Sequence, residues 1–127
     1  MGKNVLIVDD ERLLTRTLAN ALREAGYETV TATSAEQAEK HIFSEERFDI
    51  VLLDNRLPRT SGLSILKRMR DENVCSKIIL MTAYDSPEVK AEAKRLKVDK
   101  YVKKPFDLTR MLSEIEQLLG KNEVGGT

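Results

Sequence analysis

The sequence predicts a doubly wound α/β domain, a five-stranded parallel sheet with five helices on its two faces. Apolar, strand-length runs alternate strictly with helical periodicities from one end of the chain to the other. Strands separated by helices need crossover connections, and crossovers place sequential strands parallel. The run Ile50-Val51-Leu52-Leu53 is apolar at every position, as expected of a strand covered on both faces.

The first strand is Val5 to Val8, followed by Asp9-Asp10-Glu11 and a helix over about 11–25 with Leu14, Leu18, Ala21, Leu22 and Ala25 on one face. Gly26 stands where a left-handed helix terminus is wanted. Tyr27 to Thr31 is β-branched enough for a second strand. Ser34 and Gln37 read as a capping box opening a helix to about Glu45. The strand ending at Asp54 follows, then a loop, then a helix over about 62–71. Lys77 to Met81 is a fourth strand, and Ser86-Pro87 supplies an N-cap with proline at the first helical position. That helix runs to about Leu96. Asp99 to Val102 makes a short fifth strand. Asp107 caps a last helix to Leu119, with an apolar stripe of Leu108, Met111, Leu112, Ile115, Leu118 and Leu119. We expect one domain over 1–120, with 121–127 a tail or the start of a linker.

Composition narrows the function classes. Lys plus Arg and Asp plus Glu both number 21, so bulk charge offers nothing to nucleic acid or an anionic membrane. No apolar run is long enough for a membrane helix or a signal-peptide core. Met1-Gly2 invites myristoylation, but Leu6 stands where that signal needs Ser or Thr. Cys75 is the single cysteine, which excludes an internal disulfide and a thiolate metal cage. We expect a cytoplasmic protein.

In an open α/β sheet ligands bind outside the carboxyl ends of the strands. The residues expected there are Asp9 and Asp10, Asp54, Thr82, and Lys104 with Pro105. Three carboxylates at adjacent strand ends repel one another unless a cation intervenes, and Mg²⁺ suits hard oxygen donors. An ammonium and a hydroxyl beside them suit a phosphoryl group carried on Asp54 as an acyl phosphate. A phosphate or flavin on the first loop is disfavoured, because Asp9, Asp10 and Glu11 would repel it. Asp54 could also be a plain turn-starting acid, and Asp9 and Asp10 could serve as helix-start acids.

The pieces Val8-Asp9-Asp10-Glu11, Leu53-Asp54 with Leu57-Pro58 and Gly62, Met81-Thr82-Ala83-Tyr84, and Lys103-Lys104-Pro105-Phe106 occur in this order, each near a strand end. With them, residues 3 to 119 resemble the receiver domain of two-component response regulators. The resemblance implies a flavodoxin-like sheet of strand order 2-1-3-4-5. It implies that Asp54 accepts a phosphoryl group from a phosphohistidine, on a sensor histidine kinase or phosphorelay protein. Asp10 would bind Mg²⁺ directly and Asp9 through water, with Asp54 and the backbone carbonyl of Arg56 completing the set. Lys104 would pair with a phosphoryl oxygen, and its bond to Pro105 would be cis. Thr82 would move toward the phosphoryl group, and Tyr101 would turn inward behind it.

The resemblance therefore implies a signalling switch that catalyses only its own phosphotransfer and dephosphorylation. Its partners would be an output domain, or a second copy through the face of the fourth helix, fifth strand and fifth helix. A metal-dependent hydrolase would want a second acid or base beside Asp54, where Asn55 and Arg56 stand. A phosphorylation-independent interaction module also remains open.

Other residues have plainer readings. Tyr101 is either the switch or a half-buried packing aromatic. His41 reads as a solvated helix residue, and Cys75 as an inert thiol. The basic stretch from Lys90 to Lys104 is a solvated helix face or a partner surface. Asn55 and Thr60 depart from the aliphatic or Met residues usual in the family. Lys97 replaces a frequent glycine, and Lys100 and Glu114 reverse the charges of the winged-helix regulators' dimer face. Arg56 and Tyr84 flank the site and are expected to slow the access of water.

Overall fold

The computed structural model describes residues 3–120. In chain order the elements are β1 (Asn4–Val8), α1 (Arg12–Glu24), β2 (Glu28–Ala32), α2 (Ala35–Ile42), β3 (Ile50–Asp54), β4 (Arg56–Leu57), β5 (Thr60–Ser61), α3 (Gly62–Asp71), β6 (Lys77–Thr82), α4 (Pro87–Arg95), β7 (Lys100–Lys103) and α5 (Leu108–Leu119). Five strands form the main sheet in the order β2-β1-β3-β6-β7, all parallel. Counting those five alone, this is the expected order 2-1-3-4-5.

Strand alternation explains the two cores. Leu6, Val8, Val51, Leu53, Ile78 and Leu80 face one side and join buried residues of α2, α3 and α4. Val5, Ile7, Ile50, Leu52, Ile79 and Met81 face the other and join residues of α1 and α5. Successive side chains point to opposite faces, so a strand buried on both sides must be apolar throughout. Every residue of β3, Asp54 included, is buried.

Three helices end in the same way. At the end of α1, Gly26 and Tyr27 donate their N–H groups to the carbonyls of Arg23 and Leu22; at α3, Asn73 and Val74 donate to Arg70 and Met69; at α4, Lys97 and Val98 donate to Lys94 and Ala93. This is the Schellman pattern, whose hinge residue must be left-handed. The hinges are Gly26 at φ 96°, Asn73 at 58° and Lys97 at 60°. Glycine takes that conformation freely and asparagine tolerates it, whereas lysine is strained there.

Some expectations shift. Helix α2 stops at Ile42 instead of about Glu45, because Ser44 Oγ donates to the His41 carbonyl and accepts the Glu46 N–H, a local turn that competes with another helical turn. At its start Ser34 accepts the Gln37 N–H, but Gln37 Oε1 accepts from the Thr33 N–H, one residue earlier than a capping box requires. The second strand begins at Glu28 and the fifth at Lys100, each one residue later than expected. The loop after Asp54 holds an unanticipated antiparallel ribbon, pairing Arg56 with Ser61 and Leu57 with Thr60. Arg59 turns it at φ 65°, directly after Pro58, the residue order of a type II turn. The segment 121–127, expected as a tail or linker, lies outside the described residues.

Candidate functional site

The site is assembled from the tips of β1, β3, β6 and β7. Asp9 follows β1, and its N–H still donates to the Ala32 carbonyl, so it sits on the sheet edge with no exposed surface. Its Oδ1 accepts the Glu11 N–H at 2.9 Å, and its carbonyl accepts Thr15 Oγ1. Asp54, 4% exposed, ends β3 and accepts the Arg56 N–H on Oδ1 at 3.2 Å. The Lys104 N–H donates to the Thr82 carbonyl at 2.8 Å, which fixes the start of the Lys104 side chain against the tip of β6. The Lys104-Pro105 bond is cis.

From there the ammonium of Lys104 reaches three acids. Nζ lies 2.6 Å from Asp9 Oδ2, 2.8 Å from Glu11 Oε1 and 3.2 Å from Asp54 Oδ2. Burial pushes the Asp54 carboxyl up, Asp9 adds to the rise, and the Arg56 N–H and Lys104 oppose it, leaving it at about 6. Burial acts to lower the Lys104 ammonium, but the close carboxylates of Asp9 and Glu11 and the charge of Asp54 outweigh it, so its pKa is raised. Lys104 is cationic across the physiological range, and Asp54 is mostly ionised at pH 7 while more basic than an ordinary carboxylate.

Asp10 is exposed and borders a cleft of about 300 Å³ that Glu11, Asp54, Arg56, Ala83, Tyr84 and Lys104 also line. Thr82 is 1% exposed; its Oγ1 donates to the Tyr84 carbonyl at 3.2 Å and accepts the Tyr84 N–H at 3.0 Å. Tyr101 packs partly buried against the α4-side core, and its hydroxyl donates to Asp85 at 3.0 Å. A larger depression of about 560 Å³, bordered by Phe43, Phe48, Cys75 and Leu119, lies at the opposite ends of the strands. Size does not decide the site, because the buried acids and their ammonium all gather at the carboxyl ends.

The sequence placed Glu11 only among the acids that repel an anion from the first loop, yet it shares Lys104 and joins Asp9 and Asp54 in a group of acid oxygens within 4.8 Å of one another. The signal was its position beside Asp9 and Asp10, but only the bend after Asp9 shows that Glu11 turns back toward the cleft. The group fits a divalent cation. Asp9 Oδ2 is fully buried and, although 2.6 Å from the ammonium, lacks hydrogen-bond geometry to it. Three carboxylates facing one ammonium leave negative charge that a hard cation would neutralise. Gly62 is explained here too. A Cβ on it would press into the Asp54 carbonyl oxygen and lie 3.0 Å from Leu53 Cγ and 3.1 Å from Asn55 Cα, so only glycine lets α3 start against the Asp54 backbone.

The family model described as "Response regulator receiver domain" matches residues 5–116. The chain belongs to this family. The receiver domain is 39% identical over 115 residues to the Escherichia coli regulatory protein AtoC, covering 91% of this chain but 25% of AtoC. It is 36% identical over 121 residues to the Bacillus subtilis sporulation initiation phosphotransferase F, covering 94% of this chain and 95% of that protein. Among solved structures, a CheY-like receiver domain protein of Methanospirillum hungatei matches with a TM-score of 0.88 at 29% identity, covering 95% of this chain and 97% of that one. The Thermotoga maritima response regulator TrrA, solved in complex with Mg²⁺–BeF, matches with a TM-score of 0.80 at 34% identity, covering 91% and 98%. Receiver domains are signalling switches instead of classical enzymes, and they bind Mg²⁺ at an acidic site.

Proposed function

We propose that Asp54 of this receiver domain accepts a phosphoryl group from a phosphohistidine of a sensor histidine kinase or phosphorelay protein. The observation that carries this reading is a buried, unusually basic Asp54 carboxylate, 3.2 Å from the Lys104 ammonium and open to the cleft. An Asp54 carboxylate oxygen attacks phosphorus, the O–P bond forms as the N–P bond breaks, and the imidazole leaves with its electron pair and takes up a proton. Bound Mg²⁺ would neutralise charge on the phosphoryl oxygens, held by Asp9, Asp10, Asp54 and the Arg56 carbonyl. Lys104 exchanges its carboxylate partners for a phosphoryl oxygen, and Thr82 turns its hydroxyl to another. Hydrolysis by water then returns the carboxylate and releases phosphate, both steps being the domain's own chemistry.

The incoming histidine needs a place to dock. Leu13, 78% exposed on α1, borders an apolar surface with Leu14, Phe106 and Leu108 beside Glu11 at the site's edge. The switched surface would act on an output domain or on a second copy through α4, β7 and α5. On that face Lys100 Nζ lies 3.6 Å from Glu114 and donates to Gln117, which occupies the two reversed charges within one chain. No helix among the described residues is long and apolar enough to cross a membrane. The domain is taken as residues 1–120 of a cytoplasmic protein.

Incubation with acetyl phosphate and Mg²⁺ tests the reading. Wild type is expected to gain one phosphoryl mass and Asp54→Ala none. No gain in wild type, or an equal gain in the variant, overturns it.

A further inference from the structure

Asp85 gathers three contacts that no step of the proposed chemistry uses. It sits on the loop between β6 and α4, three residues past Thr82 and directly before the N-cap Ser86. Its Oδ1 accepts the Tyr101 hydroxyl at 3.0 Å, and its Oδ2 lies 3.3 Å from Lys90 Nζ on α4 and 3.5 Å from Lys103 Nζ on β7. Tyr101 and Lys103 are two residues apart on one strand and so project to the same face. One carboxylate thus ties the loop after Thr82 to both β7 and α4.

We propose that Asp85 is a positioning residue that latches Tyr101 at its half-buried place against the α4-side core in the unphosphorylated domain and releases it when Thr82 moves. This inference rests on the reading of Thr82 and Tyr101 as a switch. The mechanical chain runs through neighbours. The Thr82 hydroxyl is engaged at both ends by the Tyr84 N–H and carbonyl. Turning that hydroxyl to a phosphoryl group on Asp54 frees both Tyr84 groups, one residue before Asp85. The loop then no longer holds the Asp85 carboxylate where the Tyr101 hydroxyl meets it. Burial acts to raise the Asp85 carboxyl, but the Tyr101 hydrogen bond and then Lys90 and Lys103 hold it below its usual range, and an ionised acceptor makes the stronger hydrogen bond. The phenol responds accordingly: burial raises Tyr101, and the hydrogen bond and charge of Asp85 raise it further, to about 12.

The test uses the full chain labelled with 3-fluorotyrosine and read by ¹⁹F NMR, the Tyr101 signal being assigned by its loss in Tyr101→Phe. In wild type, acetyl phosphate with Mg²⁺ should shift the Tyr101 signal. In unphosphorylated Asp85→Ala the signal should already lie part-way to that position. Phosphorylation of this variant by acetyl phosphate should run about 2–5-fold faster, the range expected for losing one solvent-accessible charged contact. Asp85→Asn keeps an acceptor and should restore most of the wild-type signal and rate. An Asp85→Ala spectrum and rate like those of wild type, with only a loss of stability, overturn the latch and leave the switch reading intact. A wild-type Tyr101 signal that phosphorylation does not move overturns the switch reading and the latch with it.

Discussion

The guanidinium of Arg56 lies over the ring of Tyr84, 4.0 Å from its centroid. One residue comes from the loop after β3 and the other from the loop after β6, so the stacked pair roofs one side of the cleft above Asp54. Tyr84 is 62% exposed, so the pair is an outer cover and not part of the core. A cation over an aromatic face at an exposed site is worth about 0.5–1 kcal/mol, enough to hold two mobile side chains together for much of the time. The double variant Arg56→Ala, Tyr84→Ala should lose its phosphoryl group about 3–10-fold faster, because water reaches phosphorus more freely. An unchanged decay rate in a chase of phosphorylated protein removes the pair from any control of the lifetime.

Asp54 also makes stability depend on pH. Burial and the charge of Asp9 push its carboxyl up from an ordinary 3.8 to about 6. The folded domain therefore binds this proton more tightly than the unfolded chain does. Its contribution is greatest below about pH 4 and is lost as pH rises through about 6, the sign opposite to that of a salt-bridged acid with a lowered value. Asp54→Asn should then stabilise the metal-free domain by about 1–3 kcal/mol near pH 7.5, with the gain shrinking toward pH 4. A gain that stays level across thermal melts at several pH values would contradict this origin. Mg²⁺ should raise the melting temperature of wild type near pH 7.5, lose that effect on chelation, and bind more weakly below pH 6, where Asp54 takes up its proton.

Gly62 tests the packing behind Asp54. In Gly62→Ala the new methyl meets the Asp54 carbonyl and Leu53, both on the fully buried strand β3, so the start of α3 must shift. A loss of about 2 kcal/mol or more is expected in urea denaturation, with slower phosphorylation on the proposed reading, because the displaced backbone carries Asp54.

Lys97 offers the reverse test. Lys97→Gly relieves the left-handed strain at the end of α4 and should add about 1 kcal/mol, while Gly26→Ala, at the matching position of α1, should cost about as much. Equal stabilities for Lys97→Gly and wild type would mean that the unfolded glycine chain gains as much freedom as the folded chain loses strain.

Leu13→Glu should reduce phosphotransfer from a cognate kinase at least several-fold, yet leave phosphorylation by acetyl phosphate unchanged. Exposed apolar surface counts toward a protein partner and not toward a small donor.

The fold was readable because its signals were local and agreed with one another. The apolar run at Ile50–Leu53 and the proline at the start of α4 each have one low-energy reading, and the acids at the strand tips gained theirs from occurring together in the family's order. Which tips adjoin followed from the resemblance to receiver domains, which implied the strand order that the sheet shows. Less visible were features made by contact between distant segments. Glu11 reaches Lys104 across 93 positions of sequence. Asp85 looks like an ordinary residue before a helix cap until β7 brings Tyr101 and Lys103 to it. The ribbon of β4 and β5, two residues on each side, is too short to leave a periodic pattern. Lys97 was legible as a departure, because a Schellman terminus calls for glycine.

Helix α4 has only Ala93 buried within its span, against four buried residues in α1 and four in α3. The Asp54 site opens onto the loop that leads into this lightly anchored helix. The domain's compliance is thus one-sided: a charge added at Asp54 meets a rigid wall toward α1 and a yielding one toward α4. A single small group can then be reported as movement in one direction, and the amides of α4 should be the first of the five helices to exchange with deuterium.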